Sequence, residues 1–130
     1  MGKDRPILCL DFDGVLHQYE TPWSSADIIA DGPVEGAKEF LESALEHFRI
    51  MIYSSRSHQQ GGIEAMQDWC RKHFGYDIAE EITYPQAKPP AFLTIDDRAI
   101  QFTGTWYEPA TLLSFRPWNK AFKVGEDAKP

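Results

Sequence analysis

Four apolar residues, Ile7-Leu8-Cys9-Leu10, run without a break into Asp11-Phe12-Asp13-Gly14. A short continuous apolar run that ends in polar residues predicts a strand buried on both faces, the central strand of a parallel sheet. Side chains alternate along a strand, so Asp11 and Asp13 are expected on the same side of its end, with Phe12 opposite and Gly14 permitting a sharp turn. Gly32-Pro33 then opens a helix, with proline at the first helical position. Val34, Ala37, Leu41, Ala44, Leu45 and Phe48 recur at helical spacing and give it one apolar face. Gly36 inside that helix costs about 1 kcal/mol against alanine, with no evident return. Residues 49–53 predict a second strand around Ile50, Met51 and Ile52, ending in Ser54-Ser55-Arg56-Ser57. Residues 63–74 predict a second helix with Ile63, Met66, Cys70 and Phe74 on one face. Trp69 and His73 read as packing residues, and Gly75 is the terminator.

Beyond Gly75 the pattern is shorter-ranged. Residues 81–84 suggest a third strand stopped by Pro85, and residues 91–95 a fourth that runs into Asp96-Asp97-Arg98. Residues 100–102 and 105–107 flank Thr103-Gly104 and suggest a small hairpin or edge strand. Residues 108–115 suggest a last short helix, and residues 126–130 a disordered tail, which leaves 1–125 as a single domain. The alternation of strands and helices predicts an α/β fold, a parallel sheet with helices on both faces. Residues 15–32 follow the paired aspartates directly and are expected to hang over them as a flap. In that flap His17 and Trp23 fit loop packing and substrate contact equally.

Composition narrows the classes. The 130 residues are 42% apolar and 25% charged, which is enough for one folded core and unlike a disordered chain. A net charge of −7 argues against broad electrostatic binding to nucleic acid or to anionic membrane, though not against a local basic groove. Cys9 and Cys70, one in a strand and one on a helix face, read as buried reduced thiols. The four apolar residues before Asp11 are too few for a signal-peptide core, and no run reaches membrane-spanning length. Gly2 lacks the Ser or Thr that a myristoylation pattern requires at position 6. A cytoplasmic protein is the expectation.

The chemistry lies at the strand ends. Three strands end in polar groups: Asp11 and Asp13, then Ser54, then Asp96 and Asp97. In open parallel sheets ligands bind at that carboxyl edge. Two unit charges about 4 Å apart repel by roughly 4 kcal/mol at an effective dielectric near 20, and a bound cation would relieve this. Oxygen donors without Cys or His point to a hard ion, Mg²⁺ rather than Zn²⁺. Mg²⁺ takes phosphate oxygens readily, and Lys88 and Ser54 would be the phosphate's remaining partners, one a point charge and one a hydroxyl donor.

In these residues the chain resembles the haloacid dehalogenase-like (HAD) phosphohydrolase superfamily. Asp11-Phe12-Asp13-Gly14-Val15 matches its first motif, Ser54 after an apolar strand its second, Lys88 its third and Ile95-Asp96-Asp97 its fourth, all in family order. The resemblance implies a Rossmann-like doubly wound sheet and a Mg²⁺-dependent phosphatase that hydrolyses a phosphate monoester. Asp11 is then the nucleophile that forms an aspartyl-phosphate, and Asp13 the general acid and later base. Neighbouring carboxylates are the expected source of the proton affinity that Asp13 needs. Ser54 and Lys88 hold the phosphoryl oxygens. Asp11, the Asp13 backbone carbonyl and Asp96 ligate Mg²⁺, while Asp97 ligates through water or orients Lys88. Gly14, Ser55 and Arg56 are the expected substrate-binding residues, with His58 and Arg98 as further candidates.

Many members of that family carry a cap domain after the first or third strand. Here neither slot has room for one, so a capless protein with an open site is expected. Such a site suits a macromolecular substrate, a phosphorylated protein or a nucleic-acid 3′ end, or a small phosphate ester closed in by a neighbouring subunit. Two other classes stay open. A phosphoacceptor signalling module uses clustered aspartates, a hydroxyl and a lysine, but with its acidic pair first in the chain; here the adjacent acidic pair comes last. A non-catalytic relative would bind phosphate or a partner without turnover.

Overall fold

The computed structural model describes residues 4–119. Its centre is a three-stranded parallel sheet in the order β2-β1-β3, with β1 at Ile7–Leu10, β2 at Arg49–Ile52 and β3 at Leu93–Ile95. The α/β class expected from the pattern is present. The expected tail at residues 126–130 lies outside the described residues.

Register puts Leu8 beside Ile50 and Leu93, and Leu10 beside Ile52 and Ile95, so these six side chains form one row on one sheet face. That face carries the core. Leu8, Leu10, Ile50 and Ile52 join Ala37, Leu41 and Ala44 of α1 (Ala37–Ala44) and Met66, Trp69, Cys70 and Phe74 of α2 (Gly62–Phe74) in a single buried cluster. The expectation of helices on both faces is therefore corrected. Among the described residues, α1 and α2 both pack on the Leu8–Ile50 face. Among the described residues the face of Cys9, Met51 and Thr94 has no helix over it, and the described chain beyond β3 forms only a short 3₁₀ turn, Pro109–Ser114, with no buried residue.

The first helix starts later than Pro33. Gly36 sits just before Ala37 at φ 87°, a left-handed conformation that glycine adopts without strain. It is thus the turn into the helix rather than an interior residue, which accounts for its presence. The third predicted strand shrinks to one residue: Thr83 bridges Met51, its N–H donating to Ile50 O and its O accepting from Ile52 N. Ahead of it lies a short helix, α3 (Tyr76–Ala79), that periodicity did not show. The proposed hairpin at residues 100–107 does not form, and the last helix is the 3₁₀ turn. Both cysteines are buried and free, and burial pushes the Cys70 thiol up to about 11, so it stays protonated at neutral pH. No helix of the described residues is long and apolar enough to cross a membrane.

The core depends on Leu41, which is fully buried between helix and sheet. Leu41→Ala should lower unfolding free energy by about 2–5 kcal/mol. Glu42→Ala, on the exposed side of the same helix, should change it by less than about 0.5 kcal/mol. Urea denaturation of the two variants checks this; equal losses would mean that α1 does not pack as described.

Candidate functional site

Asp11 follows β1 directly, and its N–H donates to Ile95 O at 3.0 Å, tying the ends of β1 and β3 together. Asp96 and Asp97 are the next residues after β3. Each of the three aspartates places a carboxylate oxygen within 4.8 Å of the other two. Asp11 is 6% exposed, Asp97 half-buried and Asp96 exposed, so the cluster faces outward on one side. Gly14 makes the approach of Asp97 possible: at φ 85° it has no Cβ, and a Cβ there would overlap the Asp97 carboxylate. A cleft of about 340 Å³ opens beside the cluster, lined by Asp11, Asp96, Lys88, Tyr53, Thr94 and Cys9. It lies on the sheet face that carries no helix.

The donor set fits a hard divalent cation. All three side chains offer oxygen alone, and Asp97 Oδ1 is buried without a hydrogen-bond partner. An unsatisfied buried carboxylate oxygen calls for a proton donor or a cation.

Asp13 has different surroundings. The backbone leaves strand geometry at Phe12, whose carbonyl accepts N–H bonds from Val15, Leu16 and His17 at 3.2, 3.0 and 3.0 Å. This tight turn takes Asp13 out of the row that Asp11 belongs to, contrary to the expectation that both leave the strand on one side. Asp13 is 0% exposed. Arg56 Nε donates to both its oxygens, at 3.0 and 3.2 Å, and His17 Nδ1 lies 2.8 Å from Oδ1. The backbone N–H of Asp31 donates to His17 Nε2 at 3.1 Å, which leaves the ring proton on Nδ1 to donate to Asp13. Among the groups bonded to Asp13 are thus two donors, an arginine and a histidine.

Arg56 is 1% exposed, so the substrate contact expected of it gives way to an internal role. Besides Asp13, its guanidinium donates through Nη1 to the carbonyls of Ser25, Ala26 and Ile28, and stacks on Trp23 at 4.6 Å. The segment expected to hang over the aspartates as a flap is thus tied down by Arg56. Its ends pair, Gln18 N to Gly32 O and Val34 N to Leu16 O, and Trp69 Nε1 donates to Asp31 O at 3.0 Å. Asp31 closes the loop by accepting from the N–H groups of Glu20 and Thr21 and from the Thr21 hydroxyl, each at 2.7 Å. Burial alone would raise the Asp31 carboxyl, but these bonds and the nearby His17 hold it below its ordinary value. His17 stacks on Phe12 and meets Trp69 edge-on, and His73 packs on Trp69 at 4.6 Å.

Ser54 is 3% exposed in the turn after β2. Its Oγ accepts from Arg56 N at 2.9 Å, a bond that uses a lone pair and leaves the O–H proton to donate elsewhere. It does not line the cleft. Ser55 Oγ is buried with no bonded partner. His58 lies on a separate polar hollow with Gln59, Glu64 and Gln86, and Arg98 N donates to Asp96 Oδ1 at 2.8 Å. The structure thus gathers Asp11, Lys88 and Asp96 at one cleft, sets Asp97 beside Asp11 and Asp96, keeps Ser54 and Ser55 in the turn after β2, and turns Asp13 and Arg56 inward. Two contacts had no sequence signal. Trp118 Nε1 donates to Gly14 O at 2.7 Å and Asn119 Nδ2 to Gln18 O at 2.6 Å, so the chain returns to the first acidic loop from 100 residues away.

The inward cluster yields a stability prediction. Arg56→Met leaves the Asp13 carboxylate buried without its guanidinium and frees three flap carbonyls, and should destabilise the protein by about 3–5 kcal/mol. Adding Asp13→Asn removes the stranded charge and should restore part of that loss. Urea denaturation of the single and double variants measures both; a double variant no more stable than Arg56→Met would show that the pair does not act as a unit.

No model of a known protein family matches the chain, and no curated protein matches its sequence.

Proposed function

We propose that this chain is a capless, Mg²⁺-dependent phosphomonoesterase of the HAD-like kind, built on a small Rossmann-like sheet. The observation that carries the proposal is the clustering of Asp11, Asp96 and Asp97 at the carboxyl edge of a parallel sheet, beside a cleft that Asp11 and Asp96 line together with Lys88. In this reading Asp11, Asp96 and Asp97 hold the cation, joined by the Asp13 backbone carbonyl. When bound, Mg²⁺ would neutralise the carboxylates and the charge on the phosphate oxygens.

Asp11 attacks the phosphorus of the ester. A P–O bond to Asp11 forms, the P–O bond to the leaving group breaks, and Asp13 gives that oxygen a proton. In the second step Asp13 takes a proton from water, the water oxygen bonds to phosphorus, and the bond to Asp11 breaks to release phosphate. Lys88 offsets charge on the phosphoryl oxygens, and the hydroxyls of Ser54 and Ser55 supply donors from the turn beside them. For this work the Asp13 side chain has to rotate from its bonds with Arg56 and His17 toward the cleft. Residues 15–34 between β1 and α1 hold no helix or strand, which supports an open site and a bulky substrate such as a phosphorylated protein or a nucleic-acid 3′ end.

A second reading has its own support. Asp13 is buried and bonded to Arg56 and His17, as suits a relative that binds phosphate without turnover. Release of phosphate from a generic aryl ester with Mg²⁺, abolished by chelation, favours the enzyme. Phosphate binding with no release favours the alternative.

Two predictions follow from the assignment of roles. Asp96→Ala should weaken Mg²⁺ binding in isothermal titration, and an affinity equal to wild type would remove Asp96 from the metal site. Asp11→Asn should abolish turnover and leave no phosphate on the protein. Asp13→Asn keeps the nucleophile but loses the proton donor and base, worth about 10²- to 10⁴-fold in rate. The loss should be smallest for a good leaving group, and the phosphoenzyme should accumulate because its hydrolysis still needs the base. Quenched reactions analysed by mass spectrometry distinguish them: phosphate on the Asp11→Asn protein, or the same leaving-group dependence in Asp13→Asn and wild type, would reverse the roles.

A further inference from the structure

Large apolar side chains are exposed very unevenly. Among the described residues, eleven of the fourteen exposed large hydrophobics lie in residues 92–118, at 36–85% exposure. They include Leu93 and Ile95 of β3, then Phe102, Trp106, Leu113 and Trp118. Aromatic side chains each present about 150–250 Å², so the set leaves on the order of 1,000 Å² of apolar surface open. A monomer's largest patch is about 300–600 Å², whereas a stable complex needs about 800 Å² from each partner.

We infer that β3 and residues 100–118 form the interface of a homodimer. Three observations favour a second copy of this chain. The exposed apolar area matches what one half of such an interface requires. β3 is an edge strand among the described residues, and an edge strand can pair with its own copy about a two-fold axis, extending the sheet. The chain as a whole carries −7, yet residues 98–119 hold only Arg98, Glu108 and Arg116 as charges, so this is the surface on which two acidic molecules meet with least repulsion.

The surface also has a projection and a recess. Trp106 is 85% exposed, resting against Phe102 with ring centroids 4.7 Å apart. A groove of about 360 Å³ lies between Arg98, Ile100, Leu112 and Phe115. A two-fold axis lets Trp106 of each copy enter the groove of the other, with the Arg98 guanidinium over the indole. Since Asp96 and Asp97 directly follow β3, each copy would then border the open side of the other's cleft.

Sedimentation velocity on the full chain, from low to high micromolar concentration, tests this. A dimer is expected. Trp106→Glu and Leu112→Glu, one on the projection and one in the groove, should each raise the dimer dissociation constant at least about 30-fold. Both positions are exposed, so the circular dichroism spectrum should be unchanged. Hydrogen exchange on wild type should show β3 and residues 100–115 protected at high concentration and released on dilution. A monomer at every concentration would overturn the proposal, and so would a dimer unaffected by both variants or one whose protection falls on α1 and α2 instead.

Discussion

The buried contact between Arg56 and Asp13 is the constraint on which the rest of this structure depends. Taking a guanidinium and a carboxylate out of water costs several kcal/mol per ion, and only close pairing with further hydrogen bonds offsets that. Both conditions hold here. Asp13 receives Arg56 and His17, and Arg56 also reaches three backbone carbonyls and the face of Trp23. One side chain thereby fixes the turn after β1, the loop across residues 23–28 and the turn after β2. Asp31 and Trp69 then secure the far end of the loop. The turn after β1 is anchored because the inward-facing aspartate is held by both Arg56 and His17.

This arrangement gives two aspartates of one short motif opposite environments. Asp11 lines a cleft with Asp96 and Lys88 and lies beside Asp97; Asp13 meets Arg56 and His17 in the interior. The separation arises in the backbone, where the Phe12 carbonyl gathers three N–H groups and turns the chain one residue after Asp11. Under the phosphatase reading, the energy that holds Asp13 inward must be returned when it turns to the cleft. The stability of the Arg56 contact and the speed of the chemistry then oppose each other.

Sequence patterning showed the elements whose burial is strongest. β1, β2 and α2 lie where apolar spacing predicts them, because each contributes several side chains to one core. The convergence of Asp11, Asp96, Asp97 and Lys88 was legible for a related reason: parallel strands end at a common edge, so residues far apart in sequence are brought together. Arg56 and His17 were not legible in their roles. Arginine is usually exposed, and which partner a buried one finds is decided by tertiary packing alone. The single bridge at Thr83 and the missing hairpin at residues 100–107 failed for another reason. A β-prone segment becomes a strand only where its backbone runs alongside a neighbour over several residues, and here Thr83 alone bridges Met51.

The one-sided placement of the helices connects the fold to the site. α1 and α2 cover the Leu8–Ile50 row and leave the Cys9–Thr94 side without a helical layer, and the cleft occupies that side. A second helical layer on the Cys9–Thr94 side would have stood over the approach to Lys88 and Asp96. Its absence among the described residues leaves the acidic cluster accessible. Leu93 and Ile95 lie on the opposite face, in the Leu8–Ile50 row, and are exposed because β3 is the sheet's edge among the described residues. Whatever covers that apolar edge also comes to stand beside the carboxylates, because Ile95 and Asp96 are adjacent in the chain.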